Sequence, residues 1–149
     1  MTCTFFGHRD SPESIRGAVR ETITELIENK GADVFYVGNE GAFDRMVRDE
    51  LKLLSEKYRG IGYFVVLSRM PKRGEDIECS ILPEAVAACP SRFAVDRRNR
   101  WMIGESDYFV SYVTTKFGGA AKYTDIARRR GRVIVEIMST DLQNLQIIH

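Results

Sequence analysis

The chain has 149 residues, of which 22 are basic and 21 acidic, so its net charge at pH 7 is +1. The length favours one domain over residues 1–149 with a real core, and the charge balance argues against a general nucleic-acid binder, which carries a clear basic excess. With two histidines and three cysteines that form no C-x-x-C pair, the sequence excludes a multi-histidine metal site and argues against a zinc site or a disulfide framework.

The sequence also predicts where the protein works. No apolar stretch approaches the ~18 residues of a membrane-spanning helix. The N-terminal MTCTFFGHRD lacks the basic region and long apolar core of a signal peptide. We therefore expect a cytoplasmic protein with no membrane partner, no metal and no cofactor.

The first predicted strand and helix come directly after one another. Residues 3–7, CTFFG, form a short apolar run that ends at a glycine, as a buried strand does. Ser11 is the expected N-cap of the following helix, with Pro12 at its first position. Apolar residues at helical spacing continue until Gly31, which is expected to end the helix.

The same alternation continues through the middle of the chain. Residues 33–38 predict a second strand, residues 42–58 a second amphipathic helix and residues 61–67 a third strand. The connection over residues 68–91 is long for a compact domain unless it carries function or a short helix. The stretch PEAVAA could supply that helix.

The last part of the chain completes the pattern. Residues 92–106 predict a helix and residues 107–113 a fourth strand. The segment GGAAKYTDIARRR begins another helix, which Gly131 ends, and residues 132–138 predict a fifth strand. The tail over residues 139–149 is either a docked edge element or a frayed end.

Five strands that alternate with helices predict an α/β protein with a parallel sheet and helices on both faces. Right-handed crossovers and the commonest doubly wound order give a single-domain, Rossmann-like sheet of order 3-2-1-4-5. The order reverses between strands 1 and 4, and ligands bind at that crevice, beyond the carboxyl ends of the strands. The loops after strands 1, 2 and 4 are therefore expected to form a site.

The loop after strand 1, GHRD, contains Gly7, His8 and Arg9. Arg9 could clamp a phosphate through two parallel hydrogen bonds. His8 could position a ribose or act as an acid or base. A surface-exposed His–Arg pair without a ligand is an equally good interpretation of this loop.

The loop after strand 2, VGNEGAFD, places Gly38 and Gly41 on either side of Asn39 and Glu40. Glycine lets the backbone approach a ligand closely, and the helix N-terminus that follows favours anions. Asn39 and Asp44 could hydrogen-bond sugar hydroxyls. The pattern is neither G-x-G-x-x-G nor a P-loop, and an ordinary tight turn is the alternative.

The loop after strand 4, TTKFGGA, begins at Thr114 and contains the adjacent Gly118 and Gly119 before a predicted helix. We interpret it first as a phosphate cradle, because backbone N–H groups at a helix N-terminus bind anions. The carboxylate of Asp125, further along the helix, raises the possibility of catalysis.

Three arginines crowd the segment DRRNRWM. Arg97 and Arg100 share one side of a helix, while Arg98 points about 100° away. One of these directions could face the crevice, although a solvated basic face is the usual reason for such a run. Trp101 could stack on a base, but a core or interface position is commoner for a lone tryptophan.

These motifs together resemble the SLOG superfamily, Rossmann-like proteins that include the Lonely Guy phosphoribohydrolases and the DNA-processing protein of natural transformation. The stretches FFGHR, VGNEGAFD, RFAVDRRNRWMIGESDYFVSYV and GGAAKYTDIARRRGRVIVEI carry the resemblance over nearly the full chain. The nearest likeness is to small stand-alone bacterial SLOG proteins of the YpsA-like type. The resemblance implies a nucleotide or nucleotide-sugar ligand in the crevice.

The Lonely Guy enzymes carry an arginine on a helix and the motif P-G-G-x-G-T-x-x-E. Arg98 takes the matching place of that arginine, and Gly118 and Gly119 match the first two glycines. Phe117 replaces the proline, and Asp125 replaces the terminal glutamate with a side chain one methylene shorter. Because catalytic geometry tolerates misplacement of roughly 0.5 Å, this change puts the enzymatic activity in doubt.

Our leading hypothesis is a sensor or binding module for a nucleotide-derived small molecule. Backbone N–H groups near Gly118 and Gly119 would hold a phosphate, which Arg9 and Arg98 would neutralise. The polar side chains of the loop after strand 2 would read the ribose or base.

The alternative is an N-glycoside hydrolase that acts on nucleoside monophosphates. Asp125 or Glu40 would stabilise the oxocarbenium-like transition state, and Arg98 would hold the 5′-phosphate. Binding of single-stranded DNA, by analogy with the DNA-processing branch, is a weaker third option, because phosphate neutralisation dominates such affinity and the net charge is near zero.

The resemblance also bears on assembly. Many SLOG proteins pair through helices beside the site. Trp101 and Phe93 could contribute an aromatic patch to such a contact. We therefore expect a homodimer.

Overall fold

The computed structural model describes residues 1–75 and 77–137. Strands and helices alternate along these residues, as the apolar runs and amphipathic stretches of the sequence predict. The strands are β1 (Thr2–Gly7), β2 (Val34–Val37), β3 (Gly62–Val66), β4 (Ser80–Ile81), β5 (Tyr108–Tyr112) and β6 (Val133–Glu136). The helices are α1 (Arg16–Lys30), α2 (Gly41–Lys57), α3 (Glu84–Ala87), α4 (Ala94–Glu105) and α5 (Gly119–Arg129).

All the described strands join one parallel sheet in the order β4-β3-β2-β1-β5-β6. The α/β class and the relative order of the five predicted strands are confirmed. The predicted number of strands was one too low, because β4 lies outside β3 at the sheet edge. This strand pairs only Ser80 and Ile81 with Val65 and Val66, so it is too short to leave a pattern of alternating apolar residues in the sequence.

Helices cover both faces of the sheet. On one face, α1 and α2 pack against alternate strand residues such as Cys3, Phe5 and Phe35. On the other face, α4 and α5 pack against Phe6 and Phe109. This division follows from the two-residue period of strands, and each fully buried large apolar side chain contributes about 1.5–3 kcal/mol.

The entry into α1 differs from the prediction. A short 3-10 turn (Glu13–Ile15) precedes the helix, and Pro12 rather than Ser11 stands at its N-terminal boundary. The Ser11 hydroxyl instead donates to the His8 carbonyl at 2.6 Å. Because that hydroxyl is engaged by the loop after β1, it does not cap the helix. The helix end is as predicted, with Gly31 at a left-handed φ of 69°.

The long connection between β3 and α4 contains β4, and it contains α3 where PEAVAA predicts a short helix. A 3-10 turn (Ser91–Phe93) then leads into α4. The predicted tail over residues 139–149, and residue 138 of the predicted fifth strand, lie outside the described residues. No helix among the described residues is both long and apolar enough to cross a membrane.

The reversal of strand order lies between β1 and β5, whose register pairs Gly7 with Tyr112. The loop after β1 and the loop after β5 therefore leave the sheet side by side. The N-termini of α2 and α5 follow at this same edge because parallel strands end together. These elements bring distant parts of the sequence to one place.

Candidate ligand-binding site

A cavity of about 250 Å³ opens at this edge, between β1, the N-termini of α2 and α5, and the side of α4. Several predicted site residues line it: Gly7, His8, Arg9, Glu40, Asp44, Arg98 and Gly119. The remaining wall is largely apolar and includes Phe5, Phe6 and Met102. A small number of polar groups that converge in an apolar cavity is typical of a binding site for a small molecule.

Arg98 is the most deeply placed charged group of this cavity, with 2% of its surface exposed. Its Nε donates to Asn99 Oδ1 at 2.7 Å, and its Nη1 donates to the Val66 carbonyl at 3.0 Å and to Asn39 Oδ1 at 3.3 Å. All three of these acceptors are uncharged. These hydrogen bonds hold the guanidinium in a fixed orientation. None of the three goes to a carboxylate.

Burial lowers the pKa of Arg98, while attraction to Asp44 and Glu40 opposes this shift. An arginine remains protonated at neutral pH in proteins even so. The cavity consequently contains a permanent positive charge in a poorly solvated place. Such a charge favours an anionic ligand, since interactions between charges strengthen where water is excluded.

Asp44 lies at the same end of the cavity. Its Oδ2 accepts a hydrogen bond from the backbone N–H of Glu40 at 2.9 Å. Burial raises the pKa of Asp44 to about 6, and the hydrogen bond from Glu40 and the charge of Arg98 oppose this rise. A carboxyl group with this pKa changes its protonation near neutral pH, so it can both donate and accept hydrogen bonds to a sugar.

Two glycines at the start of α2, Gly38 in the preceding loop and Gly41 as the first helical residue, are required by the close packing of neighbouring segments. A Cβ at Gly38 would lie 2.8 Å from Asp44 Oδ2 and 3.2 Å from Arg98 Nη1. Gly41 has a φ of +88°, and a Cβ there would lie 2.8 Å from the Arg9 Cα. The sequence predicted that these glycines let the backbone approach a ligand closely. In the structure, the close approach that they allow is to other segments of the protein.

The N-terminus of α5 is different, because space is open beside it. Gly118 is the N-cap residue with a φ of 100°, and it makes no side-chain capping hydrogen bond. A Cβ at Gly118 or Gly119 would meet no atom within 4 Å. The first turn of α5 contains no acidic residue, so its N–H groups and the positive end of the helix dipole are suited to an anion.

The loops after β1 and β5 are joined by His8. The backbone N–H of Thr114 donates to His8 Nε2 at 2.8 Å. The Nε2 atom of His8 is therefore the acceptor in this contact. His8 thus positions the β5 loop, and its Nε2 is engaged within the protein.

Arg9 and Glu40 form an ion pair at the mouth of the cavity. The distance from Arg9 Nη2 to Glu40 Oε2 is 3.1 Å, and 74% of the Arg9 side chain is exposed. An exposed pair of this kind contributes about 0.2–1 kcal/mol. Either side chain can therefore leave this ion pair and bind a ligand at little cost in free energy.

Asp125 lies elsewhere. It lines a larger cavity of about 670 Å³ between β5, α5 and β6, together with Thr114. Its Oδ1 accepts a hydrogen bond from Arg128 Nη1 at 3.0 Å. Arg98 lines the smaller cavity and Asp125 the larger one, so the two groups proposed for catalysis do not share a site. Glu40 is the proposed catalytic carboxylate that does share a cavity with Arg98.

Sequence reasoning missed the polar side chains of α4 and α5 that support Arg98. The Tyr123 hydroxyl donates to Asp96 Oδ1 at 2.7 Å and also bonds with Asn99, which accepts from Arg98. The hydrogen bond from Tyr123 lowers the pKa of Asp96 more than any other contact. The available signal was the spacing of Asp96 and Asn99, which places them on one side of a helix.

The other members of the arginine run and the predicted stacking residue lie outside the cavity. Arg97 and Arg100 are exposed on α4. Trp101 packs edge-on against Tyr36 with the ring centroids 5.1 Å apart. Phe93 is 51% exposed. The homodimer proposed from Trp101 and Phe93 stays a prediction.

Neither models of known protein families nor curated proteins give a match to this chain. A fold of this kind accommodates many unrelated functions. The function must therefore be argued from the chemistry of the cavity. Among the described residues, no group of three or more His, Cys, Asp or Glu side chains could hold a metal ion.

Proposed function

We propose that this protein binds a nucleotide-derived small molecule through its phosphate, in the cavity between β1 and the N-termini of α2 and α5. The observation that carries the proposal is the buried Arg98, which is fixed by uncharged acceptors in a cavity bordered by the start of α5. A phosphate would place its negative charge between a guanidinium and a helix N-terminus, the two groups that proteins commonly use for this anion.

The rest of the cavity is consistent with a sugar attached to that phosphate. Asp44 and Glu40 line the wall near the N-terminus of α2 and offer oxygen atoms to ribose hydroxyls. The resemblance of the chain to the SLOG superfamily points to the same class of ligand. We propose a sensor or binding module on these grounds, with AMP and ADP-ribose as the first ligands to test.

A phosphoribohydrolase is the second candidate. It is favoured by the presence of Glu40 in the same cavity as Arg98, because cleavage of an N-glycosidic bond passes through a cationic state that a carboxylate stabilises. Release of free base from AMP is its assay. A protein that binds AMP tightly without releasing adenine would be a binding module.

The test of the proposed site is Arg98→Ala, with calorimetric titration of AMP. Loss of a charge-assisted contact to phosphate costs about 1.5–3 kcal/mol, so the affinity is expected to fall roughly 10- to 150-fold. Arg97→Ala is the matched control, since Arg97 is an exposed arginine on the same helix. Its affinity for AMP should equal that of the wild type.

Because Arg98 is buried, its loss also threatens the fold, and a second variant separates the two effects. Gly119→Asp adds a carboxylate where a Cβ meets no atom within 4 Å. An acidic residue stabilises a helix N-terminus by about 0.3–1 kcal/mol, whereas it repels a phosphate bound there. Loss of AMP affinity in a stably folded Gly119→Asp protein supports the site. Wild-type affinity in both variants would place the ligand elsewhere, and absence of any nucleotide binding at millimolar concentration would overturn the function.

A further inference from the structure

The cavity is too small for a whole nucleotide. Its volume is about 250 Å³, whereas cavities that enclose drug-sized ligands measure about 300–1,000 Å³. Its buried end, at Arg98, is the place where the proposed function puts the phosphate. A phosphate and its sugar fill most of the available space. The base of the ligand must then project from the mouth of the cavity.

One strongly exposed aromatic residue lies close in sequence to the start of α5, which borders the cavity. Phe117 is 83% exposed, the largest fraction among the large apolar side chains that are exposed in the described part of the chain. It lies two residues before Gly119, which lines the cavity. Because two residues span at most about 7 Å between Cα atoms, the Cα of Phe117 lies within about 7 Å of the Cα of Gly119.

The backbone carbonyl of Phe117 accepts a local hydrogen bond, although the ring of this residue is exposed. The Thr115 hydroxyl donates to the Phe117 carbonyl at 2.8 Å, and α5 begins two residues later. The side chain contributes little to the stability of the fold, since so little of its surface is removed from water. An aromatic ring held in this way at the edge of a phosphate site can serve as a surface on which a base stacks.

We infer that Phe117 is the stacking platform for the planar base of the nucleotide-derived ligand. This inference rests on the proposed function and deepens it. Trp101, the other candidate for stacking, is packed against Tyr36, whereas Phe117 has a free ring face. Stacking tolerates any base because every base has a π-face. The protein therefore selects for the phosphate and sugar and discriminates weakly among bases.

The experiment compares AMP with ribose 5-phosphate, which has the same phosphate and sugar but no base. Both are titrated calorimetrically into the wild type, Phe117→Ala and Phe117→Tyr. Base–aromatic stacking corresponds to about 5- to 150-fold in affinity. Phe117→Ala should lose that factor for AMP and keep its affinity for ribose 5-phosphate, while Phe117→Tyr should keep both. Met70→Ala is the control, because Met70 is a large apolar residue with 71% exposure in the connection between β3 and α4.

The outcomes separate the stacking role from the proposed function. Equal weakening of both ligands by Phe117→Ala would show that Phe117 supports the phosphate loop, and it would overturn the inference. Unchanged AMP affinity in this variant would overturn it as well, while the phosphate site would stand. Failure of the wild type to bind either ligand would refute the proposed function, and the inference with it.

Discussion

The segment that joins β5 to α5 contributes to two cavities of very different character. Thr114 and the two residues after it line a cavity of about 670 Å³, and Gly119 lines one of about 250 Å³. In the larger cavity, Asp125 pairs with Arg128, and both side chains are more than half exposed. In the smaller cavity, Arg98 is buried and held by three uncharged acceptors.

This difference shows why volume is a poor guide to the site. Ordering a charged group in advance costs free energy during folding, and burial without a bonded counter-charge adds to that cost. An anionic ligand that bonds to the guanidinium would recover part of it, in addition to the attraction that Asp44 and Glu40 already provide. The Asp125–Arg128 pair needs no such partner, because its charges neutralise each other in water. The smaller cavity is therefore the one in which we propose the ligand site.

The largest effect expected from this contrast concerns Asp44 and pH. Burial raises its folded-state pKa to about 6, above an unfolded value of about 3.9. The folded state consequently binds the proton more tightly. Its stabilising contribution is complete below about pH 4 and is lost as the pH rises through 6, by about 3 kcal/mol in total.

Asp44→Asn removes this titration. The unfolding free energy of the variant, relative to the wild type, should increase between pH 4 and pH 7, as measured by urea denaturation at several pH values. Asp125→Asn, from the larger cavity, is the matched Asp→Asn control, because the Asp125 side chain is more than half exposed. A flat difference for Asp44→Asn would mean that Asp44 is better solvated than its position in the smaller cavity indicates.

A smaller effect tests the backbone between the two cavities. Gly118 has a φ of +100°, whereas a Cβ at either Gly118 or Gly119 meets open space. Gly118→Ala should therefore destabilise the protein by about 1–3 kcal/mol through backbone strain alone. Gly119→Ala should be neutral or stabilise by about 0.4–1 kcal/mol. Denaturant unfolding of the two single variants measures this, and equal effects would contradict the strained conformation at Gly118.

The fold was largely predictable because its signals are local. Apolar runs that end at glycine predicted β1 and β2, and the doubly wound rule placed β1 beside β5. The two-residue strand β4 was not predictable, because it exists only through pairing with β3. Ser11 was assigned to the wrong role because a capping residue and a loop residue that bonds back to a carbonyl have the same sequence signature.

The site was predictable in part, since loops that leave adjacent strands must meet. The resemblance predicted that Arg98 belongs to the site, and Arg98 does line the smaller cavity. Helical periodicity alone did not show which of the three arginines faces the crevice. The separation of Asp125 from Arg98 could not be predicted. It depends on the rotation of α5, which is set by the packing of Tyr123 and Ala127 against Phe6 and Phe109.

The smallest effect is expected for Asp125, and it is the one that decides whether the larger cavity takes part in chemistry. The Asp125–Arg128 pair is exposed and contributes about 0.2–1 kcal/mol to stability. Asp125→Asn should therefore change AMP affinity by less than about twofold, equivalent to about 0.4 kcal/mol. If the wild type releases adenine from AMP, Asp125→Asn should release it at the same rate, while Glu40→Gln should lose the activity because it removes the carboxylate beside Arg98. Chromatographic measurement of free adenine, alongside calorimetry for both variants, makes the comparison. Selective loss of base release in Asp125→Asn would show that the ligand extends into the larger cavity, and the division of roles between the two cavities would then be wrong.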